Sequence, residues 1–285
     1  MQKVAIVTDS IACLNKEHTA QYGIQVVPIK ILFEDRVYHN GVDLTPSEAY
    51  KLLAKAPDYF ATSPSSPSDY TSVFREIAVT ERDIFCITVS SKLSTTFNVA
   101  CLAKDIIKQE QPHTSISVMD SKNATASQGF IALAAARAAT QGNTLDGVIK
   151  EASAVRDRVQ FLLALETIRH AYRTGRIPKI ATQMGSLLGV KPLLTISDGV
   201  VRPVGVVRSK KRGVERMIMN VRRKVGNNPV HVAVMHTDAP KEAKKLEQRI
   251  SDEFNCVELF ITEVSPIIGY SVGPGALGLA FYTDL

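Results

Sequence analysis

A turn crowded with hydroxyl side chains, SSKLSTT at residues 90–96, has the chemistry to bind an anion. An apolar, strand-like run ends at Val89, and apolar positions recur at helical spacing after Thr96. Ser and Thr can cap that helix, and the first backbone N–H groups of a helix lack partners within it, so the two features together favour an anion. The turn contains no glycine and no Gly-Lys pair. A single carboxylate is therefore a better candidate than the phosphates of a P-loop ligand.

A second segment rich in hydroxyl groups, ATSPSSPS at residues 61–68, precedes a helical pattern. One interpretation is structural: a linker in which Ser68 caps a helix that begins near Asp69. The other is a rigid loop, stiffened by Pro64 and Pro67, that presents hydrogen-bond donors to a ligand. The residue types are compatible with both interpretations.

Two aspartates, Asp9 and Asp120, each stand at the end of a predicted strand. They could act as general acid and base in an enzyme for a small carboxylate or a phosphorylated metabolite, and each could equally cap the helix that follows its strand. No GxSxG nucleophile elbow occurs, and the glycine-rich GYSVGPGALG at residues 269–278 lacks GxGxxG spacing. Capping is the favoured interpretation, and the enzyme is the alternative.

The net charge of +6 comes largely from one segment, residues 208–225, which reads as an amphipathic helix with its cations outward. A solvated helix face is one interpretation, and a docking surface for an acidic protein is another. Nucleic acid is disfavoured because no aromatic residues are interleaved for base stacking. The candidate docking residues are Arg173, Arg208, Lys211 and Arg212.

The remaining composition is that of a cytoplasmic protein without a metal or other cofactor. The four cysteines show no CxxC spacing and the six histidines show no metal-binding motif, so we expect reduced thiols and no metal site. The amino terminus shows no secretion signal, and the most apolar helical segment, residues 130–139, is short and carries Arg137. No transmembrane segment is expected, and any contact with a membrane surface should be transient.

The elements that position these residues follow a βα rhythm. Strands predicted at Val4, Ile84 and Ile116 each end in hydroxyl groups and lead into a helix, which predicts a mainly parallel sheet with ligands at its carboxyl edge. From about residue 154 the pattern changes to a hairpin with an Asp198-Gly199 turn, followed by alternating strands and helices. We predict an α/β protein of two domains: an N-terminal domain, residues 1–153, and a C-terminal α+β domain, residues 154–285.

Seven segments, in this order, resemble the DegV family along essentially the whole chain: TDS, ATSPSSP, VSSKLSTTF, VMDSK, RTGRI, LLGVKPLLTISDG and SVGPGALGLAFY. The resemblance implies a two-domain DegV-like fold, similar in outline to dihydroxyacetone kinases. It also implies a long-chain fatty acid bound between the domains. Related proteins present that fatty acid to a separate fatty acid kinase subunit, which makes the acyl phosphate, so the chain itself would not be an enzyme.

The same resemblance implies which residues hold the fatty acid carboxylate. Thr62 and Ser94 match the carboxylate-binding positions, which agrees with the anion site inferred from the turn itself. Ser271 stands where many relatives carry a histidine, so anchoring from the second domain is expected to be weaker or bridged by water. The supporting positions are Ser63, Ser91, Thr95 and Ser271.

Overall fold

The computed structural model describes residues 3–80, 83–171, 174–177 and 189–284. Its strands are β1 (Val4–Asp9), β2 (Gln25–Val27), β3 (Lys30–Phe33), β4 (Arg36–His39), β5 (Phe60–Ser63), β6 (Asp83–Thr88), β7 (Ile116–Asp120), β8 (Gln160–Ala164), β9 (Lys191–Ser197), β10 (Val200–Val207), β11 (Val230–His236), β12 (Cys256–Glu263) and β13 (Leu277–Thr283). Its helices are α1 (Lys16–Tyr22), α2 (Pro46–Lys55), α3 (Pro67–Ala78), α4 (Thr96–Glu110), α5 (Ala126–Thr140), α6 (Leu145–Arg158), α7 (Lys210–Val225), α8 (Pro240–Glu253) and α9 (Pro266–Val272). None of the described helices is long and apolar enough to cross a bilayer.

The predicted parallel sheet is confirmed, with strand order β2-β1-β6-β7 and every pairing parallel. All six residues of β1 are buried, as expected for a central strand covered on both faces. The Ala-rich α5 is buried almost all round, because small side chains let it pack closely against β1 and α6. Because these strands pair in parallel, the carboxyl ends of β1, β6 and β7 form one edge, from which the SSKLSTT turn emerges.

A small antiparallel sheet, with order β4-β3-β5, was not predicted. The apolar run at residues 24–35 forms two strands, β2 in the parallel sheet and β3 in the small sheet. Pro28 lies between the two strands and cannot donate a ladder hydrogen bond. The first part of the second hydroxyl-rich segment is also a strand, because Thr62 belongs to β5 and pairs with Ile31 of β3. The helix after it begins at Pro67 with Ser66 as its N-cap, two residues before the expected start.

The second half of the chain forms a mixed sheet of six strands, with order β10-β9-β8-β13-β11-β12. The predicted hairpin joins β9 and β10, and its turn residues Asp198 and Gly199 have φ values of 51° and 78°. Both angles fit the type I′ turn that favours this dipeptide. The segment before the final strand contains the short helix α9.

The predicted domain boundary at residues 153 and 154 falls within α6, which contacts α5, β6 and β13. The division into two domains stays a prediction. The apolar positions Met184, Leu187 and Leu188 also predict a helix, and this segment lies outside the described residues.

Candidate functional site

An apolar cavity lies where the carboxyl edge of the parallel sheet meets the six-stranded sheet and α9. Residues from both halves of the chain form its walls, so neither sheet alone could enclose it. The apolar lining residues are Ile11, Ile29, Pro64, Val89, Leu93, Ala124, Phe161, Leu163, Ile177, Leu194, Ile196, Val201, Ile267, Ile268 and Val272. A surface of this composition fits an aliphatic ligand.

Polar groups in the cavity wall come from separate parts of the chain. The polar lining residues among the described part of the chain are Thr62, Ser63, Ser94, Thr125, Thr174, Arg176 and Ser271. Four of the six residues predicted for the carboxylate site are in this set, namely Thr62, Ser63, Ser94 and Ser271. The structure thus brings two loops of the first half together with a helix of the second.

Thr62 is held by the small antiparallel sheet. It lies near the end of β5, opposite Ile31, so backbone pairing with a central strand fixes its position. The loop that follows is anchored as well, because the Ser65 hydroxyl donates a hydrogen bond of 2.7 Å to the Pro28 carbonyl oxygen. Both earlier interpretations of this segment apply: it leads into a capped helix, and it is a fixed donor-bearing loop.

Ser94 lies at the amino-terminal end of α4. Its hydroxyl is 2.7 Å from the Thr96 hydroxyl and accepts a hydrogen bond of 3.3 Å from the Thr96 backbone N–H. The Ser94 N–H in turn donates to the Ser90 carbonyl oxygen at 3.1 Å, which closes the turn. An anion beside the Ser94 hydroxyl would therefore lie near the positive end of the α4 dipole.

Ser91 and Thr95, predicted as supporting residues, do not line the cavity and are exposed. The Ser91 hydroxyl and N–H both donate to the Asp120 carboxylate, which turns this residue toward β7. Thr95 occupies the N-cap position of α4 but makes no side-chain capping hydrogen bond. Successive residues of a tight turn point in different directions, so these two side chains are not brought into the cavity wall with Ser94, and their supporting role stays a prediction.

The two candidate acid/base residues do not meet in the cavity. Asp9 is fully buried and accepts hydrogen bonds from the backbone N–H groups of Ile11 at 2.9 Å and Val89 at 2.7 Å. Burial raises the pKa of its carboxyl to about 6, although these hydrogen bonds act in the opposite direction. Asp120 caps the turns at Ser91 and Lys122. Neither aspartate lines the cavity. Asp9 caps the short 3-10 turn at residues 10–12, whereas Asp120 accepts hydrogen bonds within turns and does not cap the helix that follows its strand.

The sequence analysis did not predict two polar contacts at the cavity wall. The hydroxyl groups of Thr174 and Ser271 lie 2.6 Å apart, so the residue at the usual histidine position already has a hydrogen-bond partner. Arg176 lines the same cavity and donates hydrogen bonds to the carbonyl oxygens of Thr174 and Leu93. The RTGRI motif contains Arg176 as well as Arg173, the predicted docking residue, which lies outside the described residues.

The other candidate docking residues, Arg208, Lys211 and Arg212, are exposed around the start of α7. They stand apart from the apolar cavity, and none of them is among its lining residues.

Comparison with known proteins shows the family to which the chain belongs. The DegV family model matches residues 3–284, nearly the whole chain. The chain belongs to the DegV family. A DegV domain-containing protein of Clostridium acetobutylicum is 31% identical over 282 residues, which cover 99% of this chain and 98% of that relative.

Solved structures of DegV proteins share the fold. A fatty-acid-binding DegV family protein from Thermus thermophilus superposes with a TM-score of 0.90 at 25% identity and covers 99% of this chain and 100% of its own. DegV of Bacillus subtilis, described as a fatty acid binding protein, gives a TM-score of 0.89 at 26% identity and covers 100% of both chains.

Proposed function

We propose that this DegV protein binds a long-chain fatty acid in the apolar cavity, with the carboxylate held by Thr62 and Ser94. The observation that carries the proposal is that these two side chains, 32 positions apart in sequence, line one cavity whose other walls are mainly aliphatic. The fatty-acid-binding relatives from Thermus thermophilus and Bacillus subtilis support it, because their fold covers this chain end to end.

The apolar walls supply most of the affinity in this proposal. Each buried methylene contributes about 0.8 kcal/mol, so an acyl chain gains more than the head group, where one charge-assisted hydrogen bond contributes about 1.5–3 kcal/mol. The polar groups determine which end of the ligand faces Thr62 and Ser94. Arg176 adds a positive charge in the same wall, which favours the ionised carboxylate over an uncharged lipid.

The cavity must widen to take a long chain. Its volume is about 120 Å³, whereas pockets for drug-sized ligands begin at about 300 Å³. Widening requires side chains of the wall to move apart, among them Leu194, Ile196 and Val201 of the β9–β10 hairpin.

Delipidation and reconstitution provide the direct test. The purified protein is extracted with organic solvent, refilled with hexadecanoic acid and analysed by native mass spectrometry. We expect one fatty acid per chain, displaceable by other long-chain acids but not by butanoic acid. Failure to retain any long-chain acid, or equal retention of the short one, would contradict the proposal.

We further propose that the loaded protein presents the carboxylate to a separate kinase subunit, which docks on the exposed cations Arg208, Lys211 and Arg212. The variant Arg208→Glu/Arg212→Glu should lose acyl-phosphate formation when a fatty acid kinase catalytic subunit is added, while hexadecanoic acid binding is unchanged. Lys241→Glu/Lys245→Glu on α8 is the matched control, because it reverses two exposed cations of another helix. Equal activity of the two variants would rule out this docking surface.

A further inference from the structure

An open groove with a volume of about 780 Å³ lies beside the apolar cavity, along strands that wall both. Side chains alternate along β8 and β9, so Leu163 and Leu194 line the apolar cavity, whereas Leu162 and Thr195 line the groove. Helix α7 forms one wall of the groove, and the carboxyl end of α6 forms another. The groove therefore shares these strands with the proposed fatty acid site, and the two adjoin at Phe161 and Ile196, which line both.

Positive charge dominates this groove. Five cations line it, Lys122, Arg156, Arg216, Arg223 and Lys224, against the two carboxylates of Asp157 and Asp198. Arg156 pairs with Asp157 at 2.9 Å. The other four cations form no ion pair with any described residue, so their charge is available to a ligand.

One of these cations, Arg216, packs against the sheet. The guanidinium of Arg216 packs against the backbone of β10 at Gly205, where an added Cβ would lie 2.9 Å from its Cζ, Nη1 and Nη2 atoms. The strand register is interrupted between Pro203 and Gly205, which bends the strand at this contact. A guanidinium positioned in this way loses less side-chain entropy when it binds an anion.

Apolar surface is exposed beside the cations. Met219 and Val204 line the groove and are 62% and 39% exposed, although large apolar side chains are usually buried. A ligand that satisfies both features carries phosphate groups and a planar or apolar part. The volume lies within the range of small-molecule pockets, about 300–1,000 Å³, and the concave shape fits such a molecule better than the surface of a protein.

We propose that this groove is a second binding site, for a soluble organic phosphate of the nucleotide class. The phosphates pair with Arg216 and Arg223, because the planar guanidinium donates two parallel hydrogen bonds to a phosphate. The ring packs on Met219 and Val204. The site is independent of the proposed fatty acid site, since none of these four residues lines the apolar cavity.

Isothermal titration calorimetry with ADP, AMP, adenosine and inorganic pyrophosphate tests the proposal. We expect ADP to bind with a Kd below about 1 mM, AMP to bind more weakly, and adenosine and pyrophosphate to bind at least tenfold more weakly than ADP, a difference of about 1.4 kcal/mol. The variant Arg216→Gln/Arg223→Gln should lose ADP affinity at least tenfold. Lys211→Gln/Arg212→Gln removes the same charge from the same helix outside the groove and should change ADP affinity less than twofold.

Three results would overturn the proposal: no ADP binding, pyrophosphate binding as tightly as ADP, or equal losses in the two double variants. The last result would mean that only the overall positive charge of α7 attracts the nucleotide. All four substituted residues are exposed, and thermal unfolding verifies that both variants are folded. Retention of hexadecanoic acid by both variants separates this test from that of the proposed function.

Discussion

The Ser90 hydroxyl donates a hydrogen bond of 2.8 Å to the carbonyl oxygen of Gly199. The bond is buried and spans 109 positions of sequence, from the end of β6 to the tip of the β9–β10 hairpin. A Cβ on Gly199 would lie 2.5 Å from the Ser90 hydroxyl oxygen. Because the same hairpin supplies Leu194, Ile196 and Val201 to the apolar cavity, this contact fixes one wall of the proposed fatty acid site.

The variant Gly199→Ala should loosen the hairpin. The added methyl group collides with Ser90, and alanine is strained at the positive φ of 78°. We therefore expect a loss of about 2–4 kcal/mol in the free energy of unfolding. Gly142→Ala is the control, because its φ is 85° but nothing lies within 4 Å of its added Cβ. It should lose only about 1 kcal/mol from backbone strain. Urea denaturation measures both, and equal losses would contradict the contact.

Removal of either carboxylate-binding hydroxyl should weaken fatty acid binding. Thr62→Ala and Ser94→Ala each delete one charge-assisted hydrogen bond of about 1.5–3 kcal/mol, so the Kd for hexadecanoic acid should rise about 10- to 100-fold. Thr95→Ala is the matched control, because Thr95 is exposed in the same turn and does not line the cavity. Fluorescence displacement titrations provide the affinities. If both site variants bind as tightly as the control, the carboxylate lies elsewhere.

Arg176 should select the ionised head group. The variant Arg176→Gln removes the positive charge in the cavity wall, so binding of hexadecanoic acid should weaken by about tenfold. Binding of hexadecanol should change much less, because the alcohol carries no charge. Competition of each lipid against a fluorescent acyl probe gives the two ratios. If the variant loses affinity equally for the acid and the alcohol, Arg176 acts only by holding the loop through its hydrogen bonds to Thr174 and Leu93.

Asp9 should make the protein more stable as the pH falls from about 6 to 4. Burial raises the pKa of its carboxyl from 3.8 to about 6, so in this range the folded protein takes up a proton that the unfolded chain does not. A shift of this size corresponds to about 3 kcal/mol at most. Asp9→Asn cannot titrate, so the stability difference between wild type and variant should shift in favour of wild type as the pH falls. Denaturant titrations across this pH range measure the stability difference. A difference that does not vary with pH would show that Asp9 stays ionised.

Much of the site could be predicted because the signals are local. The strand-turn-helix pattern around Ser94 and the proline-stiffened segment at Thr62 are readable from residue type and spacing within a few positions. The Asp198-Gly199 turn likewise follows from residues that tolerate positive φ. The parallel sheet follows from the βα rhythm, which places every such strand end on one edge.

Contacts between distant segments could be decided only by the tertiary structure. Two kinds of information are missing from the sequence: how the two sheets pack, and which way each turn residue points. These decide that Ser271 meets Thr174, that Arg176 lies in the cavity wall, and that Ser91 bonds to Asp120. Periodicity shows that a residue is buried or exposed on its own element, but it does not identify the partner that it meets. For the same reason the sequence could not show that β8 and β9 wall both an apolar cavity and a charged groove.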